Sequence, residues 1–457
     1  MKKLYFLLLG LFLFNAMDAQ IINFQDDDFK NELLTASTNI QIAKDINGNA
    51  IVIDSNANGE IEVSEALQVV TLFLYSNTAI NDLTGISNFT NLKFLYAYQI
   101  SVNDVDLTAL SNLKELELLS SNVHNLNVTG LSNLEQLTLY YNQLQHLDVS
   151  GLVHLDQLYC SSNQILDLDL SPLASIRLLD CGNNSLTALD LSGLTTLTSV
   201  SCANNHMQSI ILSGLVNLYS LTCSQNQLTT INTSGLNNLV YLYCRANLIT
   251  SLDLSGLNNM EYLYCHYNQL TSLEVSNLSN LVELYCNNNQ LTSLNVNGLS
   301  HLASLQTDSN NLNAMYIKDI AYPAGGEFDV MTFSNNPQLA LICTNDDKIS
   351  LYQGLANSYG YVNCAVTSDC ALNSHQNQVE QDISIYPNPA AAVLNINAKN
   401  QNKISLIHIY NVLGQLVLVI PNAQKISSVD VSSLKTGNYF IKIISDKGSS
   451  NAKFIKE

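Results

Sequence analysis

The sequence predicts a mainly β protein: a solenoid of about twelve repeating turns with one parallel concave sheet, capped at both ends and followed by a small β domain. Three observations carry this. From residue 89 the chain repeats every 21 residues, with Asn142, Asn163, Asn184, Asn205, Asn226, Asn247, Asn268, Asn289 and Asn310 in one unbroken column. Charged residues make up only 12% of the chain, so Asn, Ser and Thr must do most of the solvating, as suits an extended repetitive surface better than a compact enzyme. The charge also changes sign near the end. Residues 383–457 carry eight lysines against Asp430, Asp446 and Glu457, a net of +5, while residues 21–382 carry eight Lys/Arg against 34 Asp/Glu, a net of −26. So acidic a body repels nucleic acid and anionic lipid, and the sign change marks a domain boundary.

The first residues read as an export signal. Met1-Lys2-Lys3 is a short positive stretch, Leu4 to Phe14 is almost wholly apolar, and Ala19 offers a small residue before a cut. The apolar run is too short for a transmembrane helix, so no transmembrane segment is expected.

The repeat decides the fold. One unit, residues 236–256, reads Leu-Asn-Asn-Leu-Val-Tyr-Leu-Tyr-Cys-Arg-Ala-Asn-Leu-Ile-Thr-Ser-Leu-Asp-Leu-Ser-Gly; eleven such units span 89–319 and a looser one occupies 66–88. Leu242 and Cys244 alternate with Tyr241, Tyr243 and Arg245, the period-2 pattern of a strand with one buried face. Asn247 ends the strand, where its side chain can bond backbone groups left open by the turn. Leu252 and Leu254 point back inward, and one unit alone cannot bury its leucines, so stability requires stacked neighbours. With only about ten residues left for the convex side, extended or 3₁₀ segments are expected there rather than regular helices. The pattern resembles the leucine-rich-repeat signature over about half the chain.

A stack needs lids. Residues 20–65 are expected to supply one, with Phe24, Phe29, Leu33 and Leu34 on a short amphipathic helix; residues 320–370, with Pro323, Gly325, Gly326, Cys343 and Cys364, supply the other. Seven of the ten cysteines (Cys160, Cys181, Cys202, Cys223, Cys244, Cys265 and Cys286) recur every 21 residues at an inward strand position. Parallel in-register side chains suit disulfide geometry poorly, so the column is expected to be buried packing. Cys343, Cys364 and Cys370 lie outside it. In an exported protein Cys343–Cys364 is the favoured bridge and Cys343–Cys370 its competitor.

Residues 54–65 match the spacing of an EF-hand loop. Asp54, Asn56, Asn58, Glu60 and Glu65 fall at ligand positions, Gly59 allows the sharp turn, and Glu62 can act through water. The segment resembles the EF-hand-like N-terminal caps of some bacterial leucine-rich-repeat proteins, including internalins. Calcium is thus the one cofactor in question, with a metal-free Asn/Gly turn as the alternative; none is required elsewhere.

After a polar linker, residues 371–382, the pattern turns to short alternating strands over 383–457. Ile383-Ser384-Ile385-Tyr386-Pro387-Asn388-Pro389 opens it. Tyr410-Asn411-Val412-Leu413-Gly414-Gln415 turns at Gly414, and Leu434-Lys435-Thr436-Gly437-Asn438-Tyr439 leads into a strand with Tyr439, Ile441 and Ile443 on one face. Together these resemble the C-terminal sorting domain of type IX secretion substrates. The resemblance implies an immunoglobulin-like β-sandwich that engages the secretion machinery, and a protein secreted or attached to the outer cell surface.

The outward strand positions line the concave side and give two tyrosine-rich zones. The first holds Phe94, Tyr96, Tyr98, Tyr140, Tyr141 and Tyr159; the second holds Tyr241, Tyr243, Arg245, Tyr262, Tyr264, His266, Tyr267 and Tyr285. Between them Asp180, Gly182, Ser199, Ser201, Ala203, Ser220, Thr222 and Ser224 are small or polar. Aromatic and Arg side chains give large contact areas with few rotamers to freeze, so the second zone is the favoured ligand site. Tyrosine also simply suits exposed strands. The expected function is adhesion or protein–protein binding without catalysis, to an extracellular protein or peptide. A surface glycan-binding module is the alternative, since tyrosine rows also stack on sugars. An enzyme is the remote third reading: the eight histidines are scattered, and no catalytic residue stands out.

Overall fold

The computed structural model describes residues 20–75, 77–321, 331–370, 383–398, 404–411, 416–421, 428–445 and 448–457. The expected export signal (1–19), Pro323, Gly325 and Gly326 of the second cap, the linker 371–382 and the turn at Gly414 lie outside these residues. The chain forms two compact units, divided between Ser368 and Asp369.

In the first unit, twelve repeat strands run from Thr71–Tyr75 to Ser304–Gln306 in one parallel sheet, which Ala43–Lys44 and Met331–Thr332 extend to fourteen strands. The register never slips: Ser220 pairs with Tyr241, Tyr241 with Tyr262 and Tyr262 with Glu283, so every column read along the sequence is a physical row. The return side is extended, as its length demands. Short strands pair there in small parallel sheets, such as Ala188–Asp190 with Ser209–Ile211, and Ser293–Asn295 with Ala314–Tyr316.

The column asparagines hold the turns together. Asn226 is buried; its Nδ2 donates to the carbonyls of Cys202 and Cys223, both at 3.1 Å, and its Oδ1 accepts the Met207 N–H at 3.0 Å. The same set recurs at each rung, so every asparagine satisfies backbone groups of its own turn and of the turn before it. The residue preceding each one is left-handed, from Tyr141 (φ 58°) through Tyr267 (φ 54°) to Ser309 (φ 53°), a conformation costly for side chains other than glycine's. The ladder outlasts the period. Asn336, 26 residues beyond Asn310, makes the same bonds to Leu312 N–H and to the Thr307 and Phe333 carbonyls.

A second, exposed ladder runs along the convex edge. Asn112, Asn133, Asn217, Asn238, Asn259 and Asn280 each donate to a carbonyl of the preceding turn, and His154 and His301 take the same place with Nδ1. Two of the scattered histidines are therefore rungs.

Both lids are helical. Asp27–Leu34 buries Phe29 and Leu33, while Phe24 lies just before the helix, edge-on to Phe29. Asp26 caps this helix through the N–H groups of Asp28 and Phe29, and its other oxygen takes those of Asn81 and Asp82, fastening lid to first repeat. Burial raises its pKa, but the four donors together hold it below the ordinary value. At the far end, the helix Ile349–Ser358 covers the last turns with Tyr352 and Ala356. The Tyr361 hydroxyl accepts the Asn336 N–H and donates to the Phe333 carbonyl.

The seven column cysteines are fully buried free thiols, and burial pushes Cys181, Cys244 and Cys286 up to about 12. The favoured Cys343–Cys364 bridge is corrected. Cys364 is a free thiol, while Cys343 and Cys370 are the two disulfide-bonded cysteines. Cys364 instead sits buried in the solenoid core, packed among apolar side chains.

The second unit has two antiparallel sheets. Ile383–Tyr386, Val393–Ala398 and Ser428–Asp430 form one, and Leu416–Pro421, Ile404–Asn411, Gly437–Ser445 and Gly448–Lys456 the other. Leu394 and Ile396 from the first share a core with Ile407, Ile409, Tyr439, Ile441, Ile443 and Phe454 from the second, a small β-sandwich. Asn388 of the Tyr-Pro-Asn-Pro run pins the last strand: its Oδ1 accepts the Ile455 N–H and its Nδ2 donates to the Lys453 carbonyl.

Two outcomes follow. Asn226→Ala strands the buried Met207 N–H, leaves the Cys202 and Cys223 carbonyls only the neighbouring rungs Asn205 and Asn247, and should lower unfolding free energy by about 2 kcal/mol. The exposed Asn238→Ala should cost under about 1 kcal/mol, both read by urea denaturation. Alkylation should modify none of the column thiols in the native protein, eight cysteines after unfolding without reductant, and all ten after reduction.

Candidate functional site

In-register stacking converts the tyrosine columns into ring stacks. Across the strands Tyr241–Tyr243, Tyr262–Tyr264 and Glu283–Tyr285, the rings of Tyr241 and Tyr262 lie 4.8 Å apart and 11° from parallel, Tyr243 and Tyr264 are 4.6 Å apart, and Tyr264 and Tyr285 are 4.3 Å apart at 8°. All five are half-buried, each ring shielding its neighbour while its outer edge meets solvent. The Tyr264 hydroxyl donates to the Glu283 carboxylate, and burial followed by that bond raises its pKa well above the ordinary phenol value. Tyr219 closes the stack edge-on against Tyr241 at 5.2 Å. An open groove continues from there over Leu178, Thr198, Ser199 and Ser220, of which Ser199 and Ser220 belong to the predicted small-residue stretch.

Arg245 is exposed on the same face. His266 lies between Tyr264, Tyr267 and Tyr285, and burial, helped by the charge of Arg245, lowers its pKa to about 4, so it is neutral at pH 7. Its Nδ1 and the Oδ1 of Asn287, one turn on, are buried without a hydrogen-bond partner among the described residues. Tyr267 departs from the expected strand position. It follows the strand in the left-handed corner, with its ring 55% exposed, and Tyr141 does the same at 67%. Both stand at the rim of the face.

The first zone is larger than the sequence reading. Phe73 and Tyr75 join it, stacked on Tyr96 at 5.0 Å and on Tyr98 at 5.2 Å. They escaped because the first repeat is two residues longer than the rest: Phe73 pairs with Tyr96 across 23 positions, outside the 21-residue columns. The alternation in Thr71-Leu72-Phe73-Leu74-Tyr75 was the available signal. Phe94 shares the strand and face of Tyr96 and Tyr98. The Tyr96 hydroxyl donates to Glu115 at 2.6 Å, Tyr98 to Glu117, and Tyr140 to Asp180 at 3.0 Å, with Tyr159 tilted against Tyr140 at 5.9 Å. These carboxylate partners lie 19 or 40 residues downstream, and no spacing rule singles them out.

The EF-hand-like loop closes on itself. Asp54 accepts the N–H groups of Asn58 and Gly59, while Glu65 accepts Ser55 and, in a reciprocal cap with Glu62, the Glu62 N–H. Asn56 and Asn58 each spend their Oδ1 on a backbone N–H and point their Nδ2 hydrogens at the Glu62 carboxylate, and Glu60 pairs with Lys30 at 2.7 Å. As folded, the amide nitrogens of Asn56 and Asn58, not their oxygens, face the Glu62 carboxylate. Among the described residues, no cluster of three or more His, Cys, Asp or Glu is arranged to hold a metal.

Comparison with known proteins agrees with this architecture. A model of the secretion-system C-terminal sorting domain matches residues 384–457, and one of paired leucine-rich repeats matches 258–304. The chain is a leucine-rich-repeat protein with a type IX sorting domain. It is thus an exported protein, secreted or attached to the outer surface, and no helix among its described residues is long and apolar enough to cross a membrane. The leucine-rich-repeat solenoid is similar to the functional domain of InlJ from Listeria monocytogenes, at 20% identity and a TM-score of 0.56 over 96% of this chain and 100% of that one; that structure is described as including a cysteine ladder. It is also similar to a leucine-rich-repeat protein of Leptospira interrogans, at 23% identity and a TM-score of 0.50 over 62% and 74% of the two chains. No curated protein sequence matches the chain.

Millimolar calcium should leave the melting temperature unchanged. A rise of several degrees would show that Glu62 releases the asparagines in favour of the ion.

Proposed function

We propose that this leucine-rich-repeat protein is a non-catalytic adhesion or receptor module that grips an extracellular protein or peptide on its concave face. The observation that carries the reading is the second zone, where five tyrosine rings stacked at 4.3–4.8 Å form one preformed surface beside Arg245 and His266. Stacking freezes the rings before a partner arrives, so little side-chain entropy remains to be lost on binding. The unpartnered His266 Nδ1 and Asn287 Oδ1 add polar groups that gain a hydrogen bond only if something else supplies it.

The non-catalytic part of the reading rests on chemistry. The column thiols are buried and pushed up, far from the thiolate a nucleophile requires. His154 and His301 are ladder rungs, and His266 has no nucleophile beside it among the described residues. A glycan-binding reading keeps one specific support, the near-parallel rows of rings, which match the apolar faces of sugars as well as they match peptide side chains.

Screening the full chain on arrays of extracellular proteins and of glycans separates the two. Protein hits should weaken at least tenfold in Tyr243→Ala/Tyr264→Ala, with an unchanged melting temperature. Hits confined to glycans transfer the face to the second reading, and hits indifferent to the double variant remove the zone from the function.

A further inference from the structure

The first aromatic zone differs from the second in its charge. Phe73, Tyr75, Tyr96 and Tyr98 make two columns of paired rings, 5.0 Å and 5.2 Å apart and within 13° of parallel, joined to each other at 5.6 Å. Glu115 and Glu117 stand in the next strand and accept the hydroxyls of Tyr96 and Tyr98. Neither carboxylate is in an ion pair among the described residues. Lys114 is paired with Glu135, and Lys44 lies over the Phe73 ring, 5.2 Å from its centroid. An ammonium group is therefore already stacked on one ring of this patch, while Tyr75, 51% exposed, presents another to solvent.

The chemistry of these couples is selective. A phenol that donates to a carboxylate gains electron density in its ring, and the ring face attracts a cation through its quadrupole. The carboxylate adds a full negative charge beside it, held in place by the hydroxyl, so that little order has to be imposed on binding. An anion meets two carboxylates inside a body of net charge −26 and is repelled. A neutral sugar would draw on the stacking surface alone.

We propose that this patch receives lysine or arginine side chains of a basic, extended segment of the protein partner, with Tyr75, Tyr96 and Tyr98 as ring faces and Glu115 and Glu117 as fixed counter-charges. The proposal rests on the concave face being the ligand face. It makes the first zone, rather than the second, the one that reads charge.

The test uses the full chain and three fluorescent probes: a lysine–glycine decamer, its glutamate–glycine counterpart and a neutral hexasaccharide of N-acetylglucosamine. The lysine peptide should bind, with affinity falling as salt rises, and the glutamate peptide should not. Glu117→Gln, which keeps shape and removes charge, should weaken lysine-peptide binding about fivefold. Tyr98→Leu should weaken it about tenfold and Tyr98→Phe less, each with an unchanged melting curve. No binding of the lysine peptide at millimolar concentration, or binding that Glu117→Gln leaves unaltered, overturns the proposal. If the hexasaccharide binds instead and Tyr98→Leu abolishes it, the concave face stands as a ligand face and its preference for cations falls. If no concave variant, Tyr243→Ala/Tyr264→Ala included, alters binding of any probe, the function proposed above falls with it.

Discussion

The hydrogen bonds of the buried asparagine column are the constraint on which the rest of this molecule depends. A solenoid turn of 21 residues must bend the chain sharply at each strand end, and a bend leaves backbone N–H and C=O groups facing inward, away from water. One amide side chain satisfies both kinds at once: Oδ1 takes an N–H of the preceding turn, and Nδ2 serves a carbonyl from each of the two turns. The same bonds hold the left-handed residue before each rung, including Tyr141 and Tyr267, in a conformation that side-chain sterics oppose. Where the period breaks, the rung does not. Asn336 reproduces the bonds after a longer loop, and Ser121 stands one turn below Asn142 with its hydroxyl on the Leu119 carbonyl.

Strict register has a consequence on each face of the sheet. Inside, it requires the same volume at the same depth in every turn, which leucine and the small, apolar cysteine thiol supply. Outside, it multiplies any residue that recurs in a column, so tyrosine at one position becomes a stack of rings roughly one strand spacing apart. An exposed tyrosine would otherwise be mobile; here Tyr264, for one, is braced by the rings of Tyr243 and Tyr285 and by the Glu283 carboxylate in the next turn. The aromatic surface is a by-product of the period that makes the stack stable.

The two units divide the labour. The solenoid carries the surface chemistry and nearly all the negative charge, and the sorting domain carries positive charge and a core of its own. Signature residues of the sorting domain have structural work in it. Asn388 brackets the backbone of the final strand, and Tyr439, stacked on Phe454 at 5.6 Å, donates its hydroxyl to the Lys435 carbonyl.

By itself, the sequence determined whatever is periodic or local: the repeat, the inward leucines and cysteines, the asparagine column, the capping helix that carries Phe29 and Leu33, and the concave position of the tyrosines. Strand alternation and the 21-residue spacing each tie a residue's facing to its number, so these features need no contact information. Only the tertiary structure decided what depends on distance across turns. It paired Tyr96 with Glu115 and Tyr98 with Glu117, placed Phe73 and Tyr75 on the first patch through a repeat two residues longer, and turned Tyr141 and Tyr267 onto the rim through the left-handed corner. It also left Cys364 a free thiol in the core, with Cys343 and Cys370 bonded. Spacing constrains a disulfide or a phenol–carboxylate couple only weakly, because either depends on where side chains meet in space rather than along the chain.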